Sequence, residues 1–210
     1  MSTRFFLAFL FVMLVIFAGW LYMIHDYGDT YLLEISRENG GIERLGAALF
    51  VLAGIIGILN VKRADKTLWK VFTFFMFTAA AREMDLHKSF TSDSIFKIKF
   101  YTSDAPVGEK LGGAIFIILL FLSLAALIRI LFKRWRQIRY SNTPVVMTLA
   151  GLGFLACGKF LDGMARYVPA LADFKFEHDA LFRVAEETIE TAGALLFVMA
   201  ALHVYTLAKR

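Results

Sequence analysis

The chain has 210 residues, 59% of them hydrophobic, with 22 Phe and only 3 Pro. Several apolar runs reach about 18–20 residues, the length of a membrane span, so the expectation is a polytopic membrane protein with no separate soluble domain. The formal charge of +5 is not a nucleic-acid signature, because the basic residues mostly flank apolar runs, where they set topology. The single cysteine, Cys157, excludes an intramolecular disulfide.

In chain order, the first expected span covers about 5–24. Only Arg4 precedes it as a charge, its apolar core is too long for an ordinary signal peptide, and no small-x-small pattern closes it. It reads as an uncleaved signal anchor. The second span covers about 42–61 and the third about 68–88, joined by the basic connector 62–66. A polar loop leads to the fourth span, about 107–132. The fifth covers about 144–162 and starts at Thr143-Pro144, where Pro suits a first helical turn. The sixth covers about 187–207. The fold expected from this is all-α: a single six-helix transmembrane bundle over 1–210.

Six spans put both termini on one side. The short connectors at 62–70 and 133–139, like the C-terminal Lys209-Arg210, are dense in Lys and Arg, which makes that side cytoplasmic. The expected location is a bacterial-type inner membrane, with the lipid bilayer as the first partner. Of the 18 acidic residues only Asp65 then falls inside, and all three outer stretches carry carboxylates. Two of these stretches have some pattern. Segment 96–101 alternates apolar and basic residues, which as an extended strand would put Phe96, Ile98 and Phe100 on one side; the alternative is a loop partly buried in the bundle mouth. Segment 167–184 mixes apolar and charged residues and suits a short interfacial helix.

The third span ends in Arg82, Glu83, Asp85 and His87, about 20 Å along the helix from Trp69. Ionisable residues at such depth mark a functional site by default. Other spans bring Glu43 and Arg44, Lys159, Asp162 and Arg166, and Glu186, Glu187 and Glu190 to a similar level. On a continuous helix Glu83 and His87 stand at i and i+4, a spacing that suits a divalent metal such as zinc, with manganese or magnesium also compatible. Glu43, Asp162 or Glu190 would supply the further ligand, and a bound water would be activated. Without metal, Glu83 and His87 can act as an acid–base pair. Arg82, near Asp85, suits an anionic phosphate or carboxylate. The candidate catalytic set is therefore Glu83, His87, Arg82 and Asp85.

The same charges also fit a structural reading. Asp162 lies three residues after Lys159 and four before Arg166, and Arg183 lies four before Glu187, so each can pair on one helix face. Gly108 and Gly112, like Gly54 and Gly57, allow close helix packing within the chain or between copies.

A small helical bundle around a polar site resembles the architecture of the intramembrane zinc hydrolases of the alkaline-ceramidase type. That family relies on several histidines, including a closely spaced pair; here only His87 lies in the right place, since His25 and His178 fall in loops and His203 near the inner end of the sixth span. No H-E-x-x-H, G-x-S-x-G, P-loop or CxxC motif is present. Three functions follow from these residues. The first is a membrane-embedded hydrolase or transferase acting on a lipid-like or anionic molecule at the outer side. The second is a sensor or assembly partner whose ion pairs are structural, as a homo-oligomer or with another membrane protein. The third, a proton- or ion-coupled transporter, is disfavoured because the inner halves of the spans are nearly bare of polar groups and hold no mid-span Pro.

Overall fold

The computed structural model describes residues 40–62, 65–137 and 143–207, together with Ala18 and Tyr22. Apart from those two, the expected first span and the polar stretch after it lie outside the described residues, as do 138–142 and the C-terminal 208–210.

All regular structure among the described residues is helical. Helix α1 covers Gly41–Val61, α2 Lys66–Glu83, α3 Ile98–Thr102, α4 Val107–Gln137, α5 Thr143–Tyr167, α6 Ala172–Glu177 and α7 Asp179–Leu207. Short 3-10 turns occupy Leu86–Ser89 and Pro169–Leu171. Helices α1, α4, α5 and α7 are each long and apolar enough to cross a membrane, which makes this an integral membrane protein. Helix α2 fills the place of the expected third span. It has 18 residues and carries Lys66, Lys70, Arg82 and Glu83 at its two ends, so its apolar stretch is shorter than that of the other four.

The ends of these helices follow from local chemistry. Asp65 caps α2: its carboxylate accepts from the N–H groups of Thr67 and Leu68, at 2.9 and 3.1 Å, satisfying donors that a helix start leaves open. Helix α5 starts at Thr143-Pro144 as expected. Helix α7 starts at Asp179, two turns before the expected span. At about 1.5 Å per residue, its 29 residues exceed a hydrocarbon core of about 30 Å, so its first turns rise beyond the apolar layer.

Helix α7 packs against both α1 and α5, α2 covers another side of α1, and α4 contacts chiefly α2. In lipid, helices gain little from burying apolar surface and associate through close packing and polar contacts. At the α5–α7 crossing Gly151 and Gly193 face each other: a Cβ on Gly151 would lie 3.0 Å from the Gly193 carbonyl oxygen and 2.9 Å from the Phe197 ring. Phe197 is fully buried and meets Phe50 of α1 and Phe72 of α2, each at a ring-centroid distance of 6.1 Å. Near the other end of α1, the buried Asn60 donates from Nδ2 to the Ala201 carbonyl at 2.8 Å.

The loop after α2 is folded onto α4. Glu109 accepts from the Ser92 N–H at 2.8 Å, and Lys110 donates to the Ser103 carbonyl. The extended alternation considered for 96–101 does not occur. Residues Ile98–Thr102 form a single helical turn, in which Phe100 is fully buried while Ile98 is 84% exposed. Segment 167–184 contains the expected short helix, α6, ahead of α7.

The Gly151 contact sets a test. Gly151→Ala presses a methyl group onto backbone that cannot yield, and is expected to cost about 1–3 kcal/mol. Gly153→Ala, with nothing within 4 Å of its added Cβ, is expected to stay within about 0.5 kcal/mol of the parent. Melting of the two variants in detergent checks both.

Candidate functional site

The polar cluster forms where the ends of α2, α5 and α7 meet, and Glu190 is its centre. By residue count Glu190 stands about 25 Å from the far end of α7, yet it is only 5% exposed. Its two carboxylate oxygens face two cations. Oε1 lies 2.8 Å from Lys159 Nζ of α5, and Oε2 lies 3.7 Å from Arg82 Nη1 of α2. Lys159 also reaches Glu186 Oε1 at 3.1 Å, and Arg82 donates to Glu83 Oε1. The chain of contacts is therefore Glu83–Arg82–Glu190–Lys159–Glu186, and it links three helices.

A glycine makes the central contact possible. A Cβ on Gly158 would lie 2.5 Å from Glu190 Cγ and 2.8 Å from Oε1. Glu190 thus crosses the surface of α5 where that helix has no side chain, and reaches Lys159 one residue further on. The carboxylates lie inward, while the side chains of Arg82 and Lys159 keep 35% and 43% of their surface exposed.

Arg82, Glu83 and Glu190 of the expected set are brought together. Glu43 is close enough to act electrostatically on Glu83 and Glu187. Asp162 is exposed, and Lys159, expected to pair with it along α5, turns instead to Glu186 and Glu190. The Asp162 backbone carbonyl accepts from Lys175, as does that of Leu161, which ties α6 to the end of α5.

The continuous helix expected through His87 is interrupted. Helix α2 stops at Glu83, and Asp85 adopts a φ of 47°, a left-handed conformation that Asp tolerates better than most residues. A 3-10 turn restarts at Leu86. Glu83 and His87 are therefore not stacked on one α-helix, and the ligand spacing inferred from that geometry does not apply. The His87 side chain lies outside the described residues. Among the described residues no three His, Cys, Asp or Glu side chains are grouped so as to hold a metal ion. Asp85 accepts from Lys88 at 2.6 Å, apart from the Glu190 contacts.

The sequence places Glu187 in the acidic group of the sixth span without distinguishing it from its neighbours. Its expected partner, Arg183, pairs the other way, with Asp179 at 2.8 Å. Among the described residues Glu187 has no ion-pair or hydrogen-bond partner, and the strongest charges acting on it are the carboxylates of Glu190, Glu186, Glu43 and Glu83. It is half-buried.

The fold and this cluster define an integral membrane protein, helical in the regular structure of its described residues, with a carboxylate-rich polar centre. No family model, curated protein or solved structure matches the chain.

Removing the central charge leaves two cations facing each other. Glu190→Gln is expected to destabilise the bundle by about 1–3 kcal/mol, less than for a fully buried pair because both cations reach solvent. Gly158→Ala is expected to act in the same direction by pushing the Glu190 side chain away. Lys97→Gln breaks only the exposed pair with Asp93, 3.5 Å apart, and is expected to cost less than about 0.5 kcal/mol. Thermal unfolding of the three purified variants gives the comparison.

Proposed function

We propose that this chain is a membrane-embedded acid–base enzyme, a hydrolase or transferase, whose active centre is the carboxylate cluster at the outer side of the membrane. Its substrate is an amphipathic, lipid-like molecule with an anionic group. The observation that carries this reading is Glu187: a half-buried carboxylate with no partner among the described residues, next to four other carboxylates. A network serving only to lock helices together has no use for such a group, since uncompensated charge in a low-dielectric setting is costly. A group that takes and returns a proton during turnover must not be tied up in an ion pair, and Glu187 meets that requirement.

The remaining residues take roles around it. Glu83 and Glu190 hold Arg82 and Lys159 in place, and those two cations, partly open to the outside, face the anionic group of the substrate. Asp85 fixes the turn that leads away from Arg82, and His87 follows in that turn as a second acid–base candidate. The chemistry is general acid–base catalysis by these side chains.

A second reading has its own support. Arg82 and Lys159 tie α2, α5 and α7 through Glu190, and every other carboxylate in that chain of contacts is paired. On this reading the protein is a sensor or assembly partner, and the cluster is a brace.

One variant separates the two. Glu187→Gln removes no pairing and is expected to melt like the parent. If Glu187 is the base, turnover of fluorescent amphipathic ester, amide or phosphodiester substrates falls by about 100-fold or more in that variant. Full biological activity in a stable Glu187→Gln protein would leave the brace as the better account.

A further inference from the structure

We propose that a groove on the α1–α2 hairpin binds one anionic phospholipid, its headgroup held by Lys62 and Lys70 at the connector end and one acyl chain laid along α2. A groove of about 560 Å³ runs there, walled by Ile58 and Val61 of α1 and by Phe74, Phe77 and Ala81 of α2. From Lys70 to Ala81 it follows α2 for eleven residues, about 16 Å. That is roughly half of a hydrocarbon core of about 30 Å, the depth of a single leaflet. The two lysines line the same end of the groove, and its walls offer almost no polar surface beyond them. Thr78, which also lines it, spends its hydroxyl on the Phe74 and Phe75 carbonyls. A molecule that fills this shape has one long apolar tail and a negative group at the end nearest the connector.

Charge selects the occupant. Stretch 62–70 has four basic residues, Lys62, Arg63, Lys66 and Lys70, against the single acid Asp65. Asp65 is committed to the α2 cap, and in capping Thr67 and Leu68 it occupies amides that a phosphate could otherwise use. Recognition of the headgroup therefore falls to the lysines. Among the described residues neither Lys62 nor Lys70 has an ion-pair partner, and both are exposed. On the positive-inside reading this connector faces the cytoplasmic leaflet, which carries the anionic lipids. A zwitterionic lipid would fill the groove equally well but gain nothing at its mouth. The headgroup end of the site is separate from the carboxylate cluster, since Lys70 and Arg82 stand about 18 Å apart along α2.

The test uses delipidated full-length protein in detergent, titrated with phosphatidylglycerol or chain-matched phosphatidylcholine and read by native mass spectrometry. One phosphatidylglycerol is expected to be retained in preference to phosphatidylcholine. The Lys62→Gln/Lys70→Gln protein is expected to bind phosphatidylglycerol about tenfold more weakly, while Lys97→Gln/Lys99→Gln in the outer loop leaves binding unchanged. Equal retention of the two lipids, or no change in the first double variant, overturns the proposal. A photo-reactive benzoylphenylalanine at position 74 gives an independent reading in membranes. An adduct to a phospholipid supports the assignment. A cross-link instead to a second copy of the chain, or to residues 5–24 of the same chain, shows the groove occupied by protein and overturns it.

Discussion

Glu190 places a carboxylate where the bundle is nearly closed to water, and this is tolerable only because Lys159 and Arg82 arrive from two other helices to face its two oxygens. An unpaired charge at such a position carries a large desolvation cost. The requirement therefore propagates outward. It joins α7 to α5 and to the Arg82 end of α2, and it needs a residue without a side chain at 158. The nearby α5–α7 crossing at Gly151 and Gly193 brings the two backbones close enough for the Glu190–Lys159 contact to be made.

The rest of the bundle is held by steric fit. Phe50, Phe72 and Phe197 join α1, α2 and α7 through ring contacts, and Asn60 adds a hydrogen bond to the α7 backbone. Aromatic and polar contacts of this kind suit an environment in which lipid competes with protein for every apolar face. The charged end and the aromatic middle share the same helices, so the geometry of the polar centre is inherited from packing below it.

Much of this architecture was readable from residue order. Apolar length located α1, α4, α5 and α7, and Thr143-Pro144 marked a helix start correctly. The convergence of Arg82, Glu83 and Glu190 was also legible, because like depth on separate helices implies proximity. Partner choice was not. Spacing along α5 offered Asp162 to Lys159, but helix α7 presents Glu186 and Glu190 to the same amine, and a contact between helices displaced one within a helix. Nor did periodicity reveal the break at Asp85: nothing in an apolar run followed by charges states where the last turn unwinds. The same applies to Phe100, whose alternating neighbours suggest a strand although a single helical turn buries the ring. The expected first span lies outside the described residues.

The order in which the helices appear has a bearing on biogenesis. Arg82 and Lys159 both precede Glu190 in the chain, so the two cations are synthesised before the acid that joins them. Until α7 has docked, Lys159 lacks both of its ion-pair partners among the described residues, and Arg82 has only the neighbouring Glu83. Helix α7 is thus the closing element of the bundle, and a nascent chain halted ahead of it would leave Lys159 without the two acids it pairs with.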